Sequence, residues 1–272
     1  MYLTTGFEPE YVQARKALLD VLEALGKHRE AVVLVGAQAI YLRTGESDLA
    51  VAPYTTDADL MINSTILTDK PLLEEVLEAA GFKLETPPGA WKSSGDIAID
   101  FMVPESLSGQ GRRGADLGNH GRRVARRTLG LEAALVDQDV QIIGALEDTD
   151  TRKFEIRVAG PGALLIAKLY KIEERIEKPH RLSNKDALDV YRLLRETSVD
   201  TMAATMKKLL ADKRSQEITE QGIRYLEELF TSATARGAAM AGEAAHPLVD
   251  SGEIAASSAA LAKELLVEIL EN

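Results

Sequence analysis

The sequence contains no cysteine, which excludes disulfides, thiolate metal centres and cysteine nucleophiles together. It also lacks any apolar run approaching the roughly 18 residues that span a bilayer. The N-terminus, Met1-Tyr2-Leu3-Thr4-Thr5, has neither a basic start nor an apolar stretch. A secretory leader is therefore not expected, and a soluble cytoplasmic protein without a membrane partner is. An excess of positive charge is missing as well: the formal net charge is −11, which argues against nucleic-acid affinity over the whole surface. Aromatics make up only 5% of residues. Trp91, the one tryptophan, follows Pro87-Pro88-Gly89-Ala90 and is expected to pack on a sheet, with stacking on a base as the alternative. The four histidines (His28, His120, His180 and His246) have no metal-ligand spacing and read as structural or exposed, with His180 near Lys178 and Arg181 as the one that could approach an acceptor.

What is present points to chemistry in two places. Val32-Val33-Leu34-Val35-Gly36-Ala37-Gln38-Ala39-Ile40 reads as an apolar strand, a glycine turn and a helix start. About twenty residues later comes Thr55-Thr56-Asp57-Ala58-Asp59-Leu60-Met61-Ile62. Side chains alternate along a strand, so Asp57 and Asp59 project from one side. Two carboxylates there make a hard oxygen site suited to Mg2+, beside backbone amides that could hold phosphates. Asp100 lies in a third strand, Ile97–Val103, and shares the parity of Ala98 and Met102. Alone, it reads as an aspartate satisfied by amides or an arginine. Beside Asp57 and Asp59, a third carboxylate calls for a cation.

Helical patterns cover 10–26, 37–43 and 71–80, and further strands are expected at 140–143 and 154–158. From Pro161 the strand signal disappears. Leu165, Leu169, Ile172 and Ile176 form one helix face. Helices are also expected at 186–194, capped by Ser183 or Asn184, and at about 200–212, 216–232 and 253–271. The Ala/Gly-rich stretch 233–245 reads as a loose connection or a poorly packed helix. The expected fold is α/β (α+β): a mixed-sheet domain over 1–160, then a helical C-terminal domain over 161–272. Lys168 sits among apolar neighbours on the first of these helices, with Lys171 and Arg175 near the same face; Asp186 and Asp189 are adjacent on the next. Two readings stay open, a salt bridge to Asp189 or a lysine that binds a triphosphate. Arg112, Arg113, Arg122, Arg123, Arg126 and Arg127 make a local basic segment with Asp116 as its only acid. That segment is either a phosphate contact or a solvated face.

The turn at Gly36, the Thr56-Asp57-Ala58-Asp59-Leu60 motif and the lone Asp100 together resemble the polymerase-β-like nucleotidyltransferase fold. Lys168-Leu169-Tyr170-Lys171 and Lys185-Asp186-Ala187-Leu188-Asp189-Val190 resemble the later motifs of the AbiEii/MenT nucleotidyltransferase toxins. The resemblance covers about residues 30–195. It implies that Gly36, Ala37, Gln38 and Thr56 lie along the nucleotide, with Ala37 standing where the family has a second glycine or serine. It also implies that Asp57, Asp59 and Asp100 hold Mg2+, or Mn2+ in its place, and that Lys168 and Lys171 meet the phosphates, the helical domain completing the cleft. Asp186 and Asp189 fall in the fourth motif, and either could be the one that matters. The implied activity is transfer of a nucleoside monophosphate from an NTP to the 3′ end of tRNA, by the toxin of a toxin–antitoxin pair with a cognate antitoxin as partner. A small-molecule (antibiotic) or protein hydroxyl as acceptor is the alternative, as is a non-catalytic partner module of the same fold.

Overall fold

The computed structural model describes residues 7–45, 51–176, 178 and 183–271. Two compact units divide the chain. The first takes the described residues of 1–39, 52–129 and 138–159, and the second those of 40–51, 130–137 and 160–272.

The first unit is built on a mixed sheet. Helix α1 (Pro9–Leu25) starts with proline, whose fixed φ suits a first helical position. It buries Val12, Leu18, Leu19, Leu22 and Leu25, the positions that the helical period selects, and stops at Gly26 with φ 50°. Strand β1 (Val32–Val35) is buried at every position, as a central strand covered on both faces must be. Helix α2 (Gly36–Thr44) follows at once. Then come β2 (Asp57–Ile62), α3 (Leu73–Ala79), β3 (Lys83–Leu84), β4 (Ala90–Lys92), β5 (Ala98–Pro104), β6 (Arg126–Thr128), β7 (Gln138–Gly144) and β8 (Lys153–Ala159). The described strands form one sheet in the order β3-β4-β5-β2-β1-β8-β7, with β6 pairing β5. β2 pairs antiparallel with β1 and parallel with β5, and α1 packs along β2, β5 and β8.

Trp91 belongs to β4 itself. It is 1% exposed, and its indole N–H donates to the Val124 carbonyl at 3.0 Å, so its ring is closed to a stacking base. His28 and His120 form an edge-to-face pair with ring centroids 5.4 Å apart. His120 Nδ1 accepts the Leu73 N–H at 3.0 Å, which leaves Nε2 as the protonated nitrogen that donates to the Thr68 carbonyl at 2.9 Å. His28 Nε2 donates to the Pro71 carbonyl at 2.7 Å. Burial pushes the His28 pKa below its ordinary value. The unfolded chain therefore holds more protons than the folded one once the pH falls below that ordinary value, and stability is lost in the same window. The thermal midpoint is expected to fall between pH 7.5 and pH 5.5, with a shallower slope for His28→Gln. Equal slopes in a melting series would refute the assignment. His180 and Arg181 lie outside the described residues.

The second unit is helical: α4 (Pro161–Ile176), α5 (Asn184–Glu196), α6 (Val199–Ala211), α7 (Gln216–Phe230), α8 (Arg236–Ala245) and α9 (Ser251–Leu270). Ser183 stands at the N-cap of α5, but its side chain accepts no capping hydrogen bond. The stretch expected to be loose is largely α8, and its small residues let neighbours approach closely. A Cβ on Gly237 would stand 2.5 Å from the Phe230 ring, and one on Gly242 would stand 2.2 Å from the Ser251 carbonyl oxygen. No helix among the described residues is long and apolar enough to cross a membrane.

Candidate active site

Register places the first group of acids. Asp59 is paired with Asp100 across β2 and β5, and Asp57 with Ala98. Paired residues of neighbouring strands point to the same face about 4.8 Å apart, so Asp57, Asp59 and Asp100 share one side of the sheet. All three are partly exposed, whereas the alternating Ala58, Leu60, Ile99 and Phe101 are buried on the other side. One face of this strand pair seals the core and the other presents carboxylates.

Gly36 stands against that face. Val35 is paired with Asp59 in the β1–β2 register, and the chain turns into α2 immediately after it. Gly36 has φ 70°, and a Cβ there would come within 2.1 Å of Asp59 Oδ2. A side chain at position 36 is thus excluded twice, by backbone conformation and by the carboxylate. The first turn of α2, with its outward N–H groups, is held next to an acid that its dipole favours.

A buried relay fixes the start of β2. Thr55, 1% exposed, donates its hydroxyl to Asp57 Oδ1 at 2.6 Å. Gln38, also 1% exposed, donates from Nε2 to the Asp57 carbonyl at 2.9 Å and accepts from Arg15 Nε at 2.9 Å. Arg15 in turn donates to Tyr11 Oη at 2.9 Å and to the Gly144 carbonyl at 3.1 Å. Burial lowers the Arg15 pKa and raises that of Tyr11. The Gln38 side chain is thereby committed to the interior, and only its backbone could meet a ligand. Thr56, the threonine singled out from the sequence, is exposed, and it is Thr55 that holds Asp57. Strand parity with Asp57 was the available signal for Thr55. Arg15 gave none, since it reads as an ordinary helix-surface cation.

The donor set of Asp57, Asp59 and Asp100 suits a hard cation. Among the described residues, however, no three His, Asp or Glu side chains already stand close enough together to hold a metal. Asp100 Oδ2 accepts from Arg126 at 3.4 Å, a long contact between two groups about one-third exposed. Three more arginines of the segment are also tied locally. Arg122 pairs with Asp116 at 2.6 Å, Arg127 with Glu105, and Arg123 donates to the Glu85 carbonyl at 3.0 Å. Arg112 and Arg113 are exposed, and their side chains have no hydrogen bond or ion pair among the described residues.

Lys168, Asp186 and Asp189 meet within the helical unit. Lys168 Nζ lies 2.7 Å from Asp186 Oδ1 and 2.7 Å from Asp189 Oδ2, and all three residues are 5% exposed or less. Lys171 and Arg175 reach Asp186 at 3.1 and 3.2 Å. Burial alone would raise the Asp186 pKa, yet the charges of Lys168, Lys171 and Arg175 hold it far below the carboxylate range. Burial likewise works against the Lys168 ammonium, and the two aspartates outweigh it and raise its pKa. Asp189 Oδ2 faces Lys168 at ion-pair distance, and its Oδ1 has no hydrogen-bond partner among the described residues. Of the two readings of Lys168, the ion pair describes this network.

No protein-family model matches the chain, and no curated protein is significantly similar to it in sequence. Its chemistry therefore rests on its own residues.

Proposed function

We propose that the chain is a Mg2+-dependent nucleotidyltransferase that moves a nucleoside monophosphate from an NTP to the 3′-terminal hydroxyl of tRNA and releases pyrophosphate. We further propose that it works in the cytoplasm as the toxin of a toxin–antitoxin pair, with a cognate antitoxin as partner. The observation that carries the reading is the carboxylate face of β2 and β5, with Gly36 packed on Asp59. Hard oxygen donors and the bare first turn of a helix are the two things a metal–triphosphate needs side by side.

Asp57 and Asp59 would hold the metal, with Asp100 beside them; bound there, Mg2+ supplies positive charge to the triphosphate. The protein's own part is mostly positioning, because phosphoryl-type transfer asks for little covalent work. The α2 backbone from Gly36 to Gln38 receives phosphate oxygens where a side chain at position 36 would block them. Asp57 is kept in one orientation by Thr55 and, through its carbonyl, by Gln38 and Arg15. Asp100 accepts the proton of the attacking hydroxyl, with Arg126 at hand to orient it. Exposed Arg112 and Arg113 give an acidic chain a local footing for RNA phosphates. Lys168 would have to leave two buried carboxylates to touch a phosphate, so its role is to hold α4 and α5 together.

The test is incubation with total tRNA, Mg2+ and each α-labelled NTP in turn, with Asp57→Ala alongside. Label on tRNA from one nucleotide, lost in the variant, is the expected result. Label on protein or on no acceptor would overturn the tRNA assignment.

A further inference from the structure

Strand β8 begins at Lys153, but β1 is paired with it only at Val33–Arg157 and Leu34–Val158. The first half of β8 therefore has no strand on that side, and the short helical turn Gly26–Ala31 lies beside it instead. The gap is a groove of about 810 Å³, with Val140 of β7 in its lining. Lys27, Arg29, Lys153 and Arg157 line it against two acids, Glu30 and Glu155. On a chain of net charge −11, that is a local reversal of sign.

Three of these cations are uncommitted. Lys27, Lys153 and Arg157 are exposed, and their side chains have no hydrogen bond or ion pair among the described residues. Arg29 differs, donating to the Leu22 carbonyl at 3.4 Å and lying 4.9 Å from the centroid of the Phe154 ring. In the arginine segment, by contrast, Arg122, Arg126 and Arg127 each face a carboxylate. Register also puts the groove's charge on the sheet face that carries the carboxylates. Val35 is paired with Asp59, and Val33, two residues back on the same side, is paired with Arg157. Lys153 shares the parity of Arg157. Strand spacing sets the Arg157 backbone roughly 12 Å from that of Asp59, and Lys153 roughly 13 Å further along β8. One phosphate cannot meet both ends of such a row, whereas a chain of phosphates can.

We infer that this groove holds the sugar–phosphate backbone of an RNA whose 3′ end lies at Asp57, Asp59 and Asp100. The inference rests on the reading of RNA as the acceptor, and it adds a second contact to that of Arg112 and Arg113. Phosphates nearest the 3′ end meet Arg157, and those further back meet Lys153 and Lys27. Contacts of this kind set the register and orientation of the strand without reading its sequence. They draw their affinity from released counterions, so salt weakens them steeply.

The test measures binding of a fluorescein-labelled tRNA transcript by anisotropy across a salt series, with NTP left out. Lys153→Glu combined with Arg157→Glu should weaken binding about tenfold or more and flatten the plot of log affinity against log salt by about 1.5, the size expected for two phosphate contacts. Lys153→Gln combined with Arg157→Gln should flatten the slope equally with a smaller drop in affinity. Both positions are exposed, so circular dichroism should match the parent. Asp57→Ala should bind like the parent, which separates the groove from the chemistry. RNA bound through the groove but never labelled would end the transfer reading and leave the groove standing. No RNA binding by the parent, an unchanged slope in both groove variants, or equal displacement of the RNA by polyglutamate would overturn the inference.

Discussion

Replacing Asp57 and Asp59 together by alanine is expected to abolish nucleotidyl transfer, by about a thousandfold or more, while leaving the fold intact. The two effects separate because of where the carboxylates stand. Both are partly exposed on the face opposite Ala58 and Leu60, so their loss removes no core packing. Asp59 is the register neighbour of Asp100, and Asp57 is the acceptor of the Thr55 hydroxyl, so the double variant changes one carboxylate pair and one hydrogen bond. The double variant should therefore stay folded and melt somewhat below the parent, by the loss of the Thr55–Asp57 hydrogen bond, while labelling no tRNA. Single Asp57→Asn retains an oxygen for the Thr55 hydroxyl and should separate orientation from charge: if charge is what matters, it too is inactive. Full activity of the double alanine variant would end the metal-site reading. Inactivity with a collapsed melting temperature would mean that the carboxylates are structural.

Much of this arrangement was legible because the period-2 rule works wherever a strand is long enough to display it. Val32–Val35 reads as a buried strand from its unbroken apolar run, and the phase of Asp57 and Asp59 and the parity of Asp100 follow from alternation; β1, β2 and β5 stand at these positions. Strands β3, β4 and β6 are two or three residues long and carry no period, so the sequence could not announce them. Three of the long-range facts were hidden for physical reasons. Arg15 looks like a solvated helix residue, and only the fold brings Gln38, Tyr11 and Gly144 around it. The arginine segment looked free beside Asp116 because Glu105, Asp100 and the Glu85 carbonyl, which occupy three of its guanidinium groups, come from other elements. In 233–245, the alanine and glycine content suggests weak packing. Small side chains do bury little area, but they permit the close approach seen at Gly237 and Gly242, which the composition cannot reveal.

Lys168→Met should be the most destabilising single substitution in the helical unit, at about 3–5 kcal/mol near neutral pH, the range for breaking a buried ion pair on one side. The methionine fills much of the same space, so the loss is electrostatic. Asp189 would keep no cation, being 1% exposed with Lys168 as its only ion-pair partner among the described residues. Asp186 would retain Lys171 and Arg175, so most of the cost falls on Asp189. Two checks isolate this cause. Adding Asp189→Asn to Lys168→Met should recover part of the loss, because an amide can be buried without a counter-charge. The pH dependence supplies the second. In the parent, Asp186 has a depressed folded pKa, so its contribution is present above the ordinary carboxylate value and is lost as the pH falls below it. Lys168→Met removes one of the three cations that depress it, so the stability lost on acidification should be smaller in the variant. Urea unfolding at pH 7.5 and pH 5 measures both effects. A Lys168→Met midpoint equal to the parent at both pH values would show that the ammonium holds nothing in place, and would return Lys168 to the role of a phosphate ligand.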